Sequence, residues 1–399
     1  MTKPAPGYVR GVASTRSGLS VAVTGPTGTF GFGLIPLLQA EPQVRAITGI
    51  ARRPFDPASH GWTKLRYREG DVRDRRALEA AFAGADVVVH LAFNLTGRGD
   101  RDAVRAINVG GTMNAFAAAV AAGATRFVYA SSVAVYGFAA DNPIGMTEDR
   151  PTRPAEHLFY AREKAEIERL LQDASAAQPQ IGLYVLRPPI VLGPHTIGAK
   201  TFLPASLEPV ARRLAGLALR LPVALPVPVA PLALQFVHEE DVGEALRLCV
   251  LGAGPPGVYN LAADGEPTVV DVAREAGLRP VAVPRAPVQA AARLLAALPF
   301  APATLGWAEA FASPVIMDSG KARRELGWRR AGPLWRRCAR RSPHRAAAER
   351  VSVRRPRPRP RRRERARAAP RPARPRRASA PRVPQRRRHR RVRPRRARR

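Results

Sequence analysis

The sequence predicts an α/β protein with a doubly wound parallel sheet, a smaller C-terminal region that returns to it, and a basic tail. Three observations carry this expectation. Short β-branched runs alternate with stretches of helical length from residue 19 to residue 187, the pattern of parallel βαβ units. The first run stops in three glycines spaced three apart, Gly25, Gly28 and Gly31. Past Trp328 the composition turns abruptly to arginine, proline and alanine.

Taken in order, Ser20 to Val23 is small and β-branched enough to be a strand buried on both faces, and Thr24 to Gly31 supplies the turn into a helix. Gly25 suits the left-handed backbone of a tight turn, Gly28 lets a pyrophosphate approach bare main chain, and Gly31 lets the helix pack on its strand. The helix N-terminus then faces the phosphates. The helix should run to Ala40 with a kink at Pro36, which lacks a backbone donor. Val44 to Ile50 is a second strand. Where a dinucleotide fold carries an acid for the adenine ribose, this chain reads Ala51, Arg52 and Arg53. A carboxylate would repel a 2'-phosphate and guanidinium groups bind it, so NADP is favoured over NAD, with a solvated turn as the bland reading of the two arginines.

Lys64 to Glu69 is a third strand leading into GDVRD, and a helix follows over Arg75 to Phe82 with Asp74 as its N-cap and Asp71 as the alternative. Asp86 to Leu91 is a buried strand ending in His90, which reads as a packed strand-end residue rather than a catalyst. A long Ala-rich helix should span about Arg101 to Ala122, and Phe127 to Ala130 is the next strand, delivering Ser131 and Ser132. Tyr160 and Lys164 then stand four apart in a helical stretch, which puts both on one face. A free phenol titrates near about 10, and a neighbouring ammonium should lower it, making Tyr160 a usable acid or base. Ser132 would hydrogen-bond the substrate oxygen, and Lys164 would also hold the nicotinamide ribose.

With 399 residues and 45% apolar content the chain can bury a full core. Its formal charge of +35 is uneven: residues 351–399 hold 24 Arg against one Glu, and residues 1–328 carry only +5. Cys249 and Cys338 are too far apart in sequence and context to suggest a disulfide framework, and no metal cluster is expected. Residues 1–18 read as a disordered leader without a signal-peptide core, and the apolar stretch Leu214 to Val237 is broken by Arg220 and four prolines. A cytoplasmic protein without membrane contact is expected.

Together, TGPTGTFG, GDVRD, HLA, NVGGT, SSVAVYG, YAREK, LRPPIVLGP and QFVHEEDV resemble the extended branch of the short-chain dehydrogenase/reductase superfamily, the NAD-dependent epimerase/dehydratase family, over about residues 19–328. The resemblance implies a Rossmann-type domain at 19–187 and a substrate-binding region at 188–328 mixed with returning sheet segments, Gln235 to Val237 and Val258 to Asn260. It also implies a catalytic set of Ser132, Tyr160 and Lys164. Gly25, Thr27, Gly28 and Gly31 would meet the pyrophosphate, Asp71 and Val72 the adenine, and Ala92 and Asn108 the length of the cofactor. Pro189, within Arg187 to Pro194, would lie near the nicotinamide. The family's dimers use two long helices, here near Arg101 to Ala122 and Ala155 to Asp173, so a homodimer is expected.

Departures from the family pattern narrow the chemistry. Sugar-nucleotide 4,6-dehydratases carry a Thr-Asp-Glu set where this chain has Ser132, Val133 and Ala134, so the carboxylates for elimination are missing. Many sugar-nucleotide epimerases carry Asn at the position of Ile190, which cannot bond a diphosphate. Pro204 to Leu234 is rich in Leu, Val, Ala and Pro, which suits an apolar substrate wall or equally a packed core. The expected function is an NAD(P)-dependent oxidoreductase that interconverts a secondary alcohol and a ketone on a small, fairly apolar molecule. The alternatives are a sugar-nucleotide epimerase and a non-catalytic NADP-sensing regulator. Residues 329–399 contain no Lys, Ile, Phe, Tyr, Asn, Asp, Thr or Met, the pattern of GC-rich DNA read in a shifted frame. If translated as written, this tail should be disordered and bind nucleic acid without sequence preference.

Overall fold

A computed structural model describes residues 18–95, 100–139, 141–156, 158–196, 226–265, 267–275, 279–284, 286–287 and 313–329. The leader before residue 18, the apolar segment 204–225, Cys338 and the basic tail from 330 onward lie outside the described residues. The strands in chain order are β1 (Leu19–Thr24), β2 (Val44–Ala51), β3 (Leu65–Glu69), β4 (Val87–His90), β5 (Arg126–Ala130), β6 (Gly182–Arg187), β7 (Ile190–Leu192), β8 (Pro226–Val229), β9 (Phe236–His238), β10 (Gly257–Asn260) and β11 (Arg279–Ala282). The helices are α1 (Thr29–Ala40), α2 (Arg75–Phe82), α3 (Arg101–Arg105), α4 (Gly111–Ala121), α5 (Phe159–Ala176), α6 (Glu239–Leu251), α7 (Val269–Glu275) and α8 (Gly320–Glu325).

Seven strands form one parallel sheet in the order β10-β6-β5-β4-β1-β2-β3. Chain direction along the sheet reverses between β1 and β4, so the loops leaving their C-terminal ends splay apart and leave a crevice there. β1 shows why the strand reads as apolar throughout. Val21 and Val23 enter the core with Leu34, Ile35 and Leu38 of α1 and Leu246 of α6, while Ala22 enters the opposite core with Leu78, Phe82, Phe116 and Ile167.

Several expected elements change. The single helix expected over 101–122 is three pieces: α3, a π-helical turn at Ala106–Gly110, and α4. Thr112 explains part of the break, because its hydroxyl bonds back to the Asn108 carbonyl at 2.5 Å and competes with the regular ladder. The helix expected from Ala155 begins only at Phe159, after a segment containing Pro151 and Pro154, and runs on to Ala176. Residues 235–237 do not rejoin the main sheet; β9 pairs with β7 in a separate parallel pair, Ile190 to Phe236 through Leu192 to His238. β10 does rejoin it, beside β6. α1 continues through Pro36 as one element, and Asp74 caps α2 by accepting from the Ala77 amide at 3.1 Å. Among the described residues no helix is long and apolar enough to cross a membrane.

The glycines divide their work differently from the expectation. Gly25 has φ +67°, which an L side chain rarely adopts. A Cβ on Gly31 would fall 2.0 Å from the Pro26 carbonyl oxygen, so this residue closes the loop onto α1 rather than the helix onto its strand. Helix packing falls to a pair that the spacing rule overlooks: a Cβ on Gly33 would lie 2.2 Å from the Glu239 oxygen, and one on Gly243 would lie 2.1 Å from the Gly33 oxygen. Trp328, 1% exposed, covers the same helix by donating its indole N–H to the Asp241 carbonyl at 2.8 Å.

In a free helix Gly→Ala gains about 1 kcal/mol. Here the methyl would meet backbone that no rotamer change can move, and overpacking of that kind costs about 1–3 kcal/mol. Gly243→Ala should therefore lower the urea midpoint and the melting temperature. A variant as stable as the parent would show that α1 and α6 do not cross at backbone contact.

Candidate active site

The crevice between the ends of β1 and β4 is organised by a buried polar chain. Thr24 Oγ1 accepts from the Leu91 amide at 3.1 Å and the Ala92 amide at 3.2 Å, so its single proton goes to His90 Nδ1, 2.9 Å away. The imidazole proton must then sit on Nε2, which donates to Thr112 Oγ1 at 3.1 Å, and Thr112 passes its proton to the Asn108 carbonyl. Thr24, His90, Thr112 and Asn108 are all 0% exposed. Burial and then the Lys164 charge push His90 down to about 3, which keeps the ring neutral as this chain of bonds requires. His90 is thus the packed strand-end residue expected, with a definite tautomer.

The Asn108 side chain extends this order to the crevice floor. Its Oδ1 accepts from the Asn94 amide at 2.6 Å, and its Nδ2 donates to Glu163 Oε2 at 2.7 Å. Glu163 precedes Lys164 on α5 and is 7% exposed; burial pushes its carboxyl up.

Ser132, Tyr160 and Lys164 do come together. β5 ends at Ala130, and Ser132 opens a 3-10 turn at Val133–Tyr136, its Oγ accepting from the Ala134 amide at 3.2 Å. Tyr160, half-buried on the first turn of α5, shares a hydrogen bond with Ser132. Lys164, one turn on, donates to the Ala130 carbonyl at 2.7 Å. The expected direction of the tyrosine shift is corrected, however. Burial raises Tyr160, only partly offset by the Ser132 bond, and drives Lys164 down to about 7 despite the charges of Glu168 and Glu163. The group that titrates near neutrality in the ligand-free protein is the lysine.

Beneath this set lies an ion pair that sequence reasoning missed. Arg187 at the end of β6 and Glu168 on α5 meet at 2.5 Å, with their side chains 4% and 2% exposed. Glu168 also accepts from Ser131 Oγ, and Arg187 donates to Tyr136 Oη at 2.7 Å. The signal was available: Glu168 follows Lys164 by four residues and Tyr160 by eight, one face of one helix.

The other candidates lie on the glycine loop, after β2 and β3, and after β6. Gly25 lies against Ala92, whose amide nitrogen would be 3.0 Å from a Cβ there, whereas a Cβ on Gly28 would meet only the Gly25 oxygen at 3.4 Å. The bare backbone at Gly28, at the N-cap of α1 with Thr27 beside it, is a cradle that fits a pyrophosphate. Farther along, Arg52 and Arg53 stand exposed after β2. Asp71 is paired with Arg73 at 2.8 Å, and hydrogen bonds from Arg73 together with the nearby Arg52 charge hold its carboxyl below the usual range. Val72 is buried against Gly111, and buried Pro189 follows β6. Ile190 is 36% exposed at the start of β7. Cys249 is buried with its thiol pushed up, and among the described residues no group of His, Cys, Asp and Glu could hold a metal ion.

A doubly wound sheet with a glycine loop after β1, and a serine, tyrosine and lysine set at the end of β5, defines a nucleotide-cofactor enzyme fold. The chain belongs to the NAD dependent epimerase/dehydratase family, whose profile matches residues 21–262. The uncharacterized protein y4nG of Sinorhizobium fredii is 28% identical over 317 residues, covering 77% of this chain and 73% of its own. The 2-alkyl-3-oxoalkanoate reductase of Shewanella oneidensis is 32% identical over 152 residues, 38% of each chain. Among solved structures, DesIV, a dTDP-glucose 4,6-dehydratase from Streptomyces venezuelae with NAD and TYD bound, superposes with a TM-score of 0.60. It covers 81% of this chain and 95% of its own at 22% identity, a likeness of fold.

The neutral His90 carries a stability signature. Unfolded histidine titrates near about 6.5 and the folded ring near 3, so acid favours the unfolded chain across that window. The stabilisation is complete above about 6.5 and falls by up to about 1.4 kcal/mol per pH unit below it. The stability gap between wild type and His90→Asn should therefore narrow from pH 7 to pH 5 in urea titrations; a gap independent of pH would mean the ring is not held neutral.

Proposed function

We propose that this protein is an NAD(P)-dependent oxidoreductase that interconverts a secondary alcohol and a ketone on a small, fairly apolar substrate, with NADP preferred. The observation that carries the reading is the hydrogen-bonded Ser132 and Tyr160 pair one helical turn from the buried Lys164, at the C-terminal end of β5 in the parallel sheet. A nicotinamide cofactor, when bound, supplies or removes the hydride. The chain's own residues handle the proton and the geometry. Ser132 Oγ orients the substrate oxygen, and Tyr160 Oη gives it a proton or takes one away. Lys164, fixed by the Ala130 carbonyl, lies on the same helix face to hold the cofactor sugar and stabilise charge on the phenol. Gly25 and Gly28, whose own amides donate to the Ile50 and Gly25 carbonyls, leave bare main chain over which a pyrophosphate would reach the first-turn amides of α1.

The substrate class follows from what surrounds the set. Val133 and Ala134 leave no carboxylate beside Ser132 for an elimination, and Ile190 offers a diphosphate no donor. Phe93 adds an aromatic wall, its ring edge-on to Tyr160 at 5.5 Å between centroids. The partial likeness to an oxoalkanoate reductase agrees with this reading, while the likeness to sugar-nucleotide enzymes keeps an epimerase as the alternative. NADP preference is supported by exposed Arg52 and Arg53 and by an Asp71 already neutralised through Arg73.

Tyr160→Phe should lower turnover at least about a hundredfold, the usual loss of a general acid or base, with cofactor affinity nearly unchanged. Steady-state kinetics on a panel of apolar ketones and of UDP- and dTDP-sugars would measure it, and near-normal turnover would end the proposed role.

Arg52→Ser should weaken NADPH binding by about tenfold or more, the worth of a charge-assisted bond to phosphate, and leave NADH binding unchanged. Equal effects on both cofactors, or tighter NADH binding by the wild type, would reverse the preference.

A further inference from the structure

Phe93 is an aromatic side chain set between the two groups the chemistry needs. Its ring centroid lies 4.0 Å from Lys164 Nζ, and the ring meets that of Tyr160 edge-on, 85° between planes. An ammonium has three N–H directions. One is taken by the Ala130 carbonyl at 2.7 Å, one side faces the Tyr129 ring at 4.7 Å, and the Phe93 face closes the remaining approach. The result is a lysine 4% exposed, enclosed by carbonyl and aromatic faces. A hydroxyl oxygen must come within about 3.2 Å of a nitrogen to bond it, and the Phe93 ring stands in that space.

The backbone on both sides of Phe93 is held. Thr24 fixes the amides of Leu91 and Ala92, and Asn108 fixes the Asn94 amide at 2.6 Å and its carbonyl at 3.3 Å. Phe93 is the single residue between these clamps, and its side chain is half-buried. It can therefore leave Lys164 by turning about its own side-chain bonds, with the strand end unmoved.

We propose that Phe93 is a cofactor-site residue that competes with the sugar hydroxyls of a nicotinamide dinucleotide for the Lys164 ammonium. This rests on the reading that Lys164 holds that sugar. Binding exchanges a cation–π contact for hydrogen bonds, so the ring lowers affinity by what that contact is worth.

The test is calorimetric titration of the full-length protein with NADPH and NADH. Phe93→Ala should tighten binding by about two- to thirtyfold, the range of a cation–π contact from exposed to desolvated, and Phe93→Leu, which keeps bulk but loses the π face, by less. In ligand-free protein both variants should also speed modification of Lys164 by trinitrobenzenesulfonate, read by peptide mass. In a Lys164→Ala background, Phe93→Ala should give no tightening. Unchanged or weaker binding in both Phe93 variants with normal melting would overturn the proposal, as would an equal gain without Lys164. Lys164→Ala binding cofactor as tightly as wild type would overturn the underlying reading of Lys164 itself, a separate result.

Discussion

The site depends on one buried chain of hydrogen bonds, Leu91 and Ala92 to Thr24, Thr24 to His90, His90 to Thr112, and Thr112 to the Asn108 carbonyl. Every member has a single consistent donor direction, so breaking any link leaves a buried polar group unsatisfied, a loss of about 1–3 kcal/mol. The chain crosses from the end of β1 to the end of β4 and on to the π turn, which are the three segments that border the crevice. The π turn in turn presents Asn108, which reaches both the loop after β4 and Glu163 on α5. The glycine loop, the Phe93 loop and the helix of Tyr160 and Lys164 are thereby registered to one another.

A second layer of order is electrostatic. Lys164, Glu163, Glu168 and Arg187 are all less than a tenth exposed and lie around the end of β5. Buried charges are tolerated only with partners, and here Glu168 and Arg187 partner each other while Lys164 leans on a carbonyl and aromatic faces. That asymmetry explains why Lys164 moves close to neutrality. Tyr129 stands in the same region, its buried hydroxyl without a hydrogen-bond partner among the described residues.

The sheet and its crevice were legible from residues 19 to 187 because parallel strands buried on both faces must be apolar along their length, and glycine spacing reports backbone approach directly. The expected bounds Val44 to Ile50 and Arg75 to Phe82 fall within a residue of β2 and α2. Helix 101–122 was misread as continuous because alanine-rich composition reports propensity, while the π turn arises from tertiary bonds of Thr112 and Asn108. Segment 235–237 was read as a return to the main sheet because an apolar triplet does not state which strand it will meet.

Within the candidate site, the sequence alone determined that Ser132, Tyr160 and Lys164 could share one locality, since strand-end position and i,i+4 spacing are local properties. It likewise singled out the glycine loop and the arginines after β2. Only the tertiary structure decided the protonation landscape, with Tyr160 raised and Lys164 lowered, because desolvation depends on atoms brought in from distant strands. It also decided the parts played by Gly33 and Phe93. Each of these acts through a contact with a residue far away in the chain, and a contact of that kind has no period, spacing or composition by which the sequence could announce it.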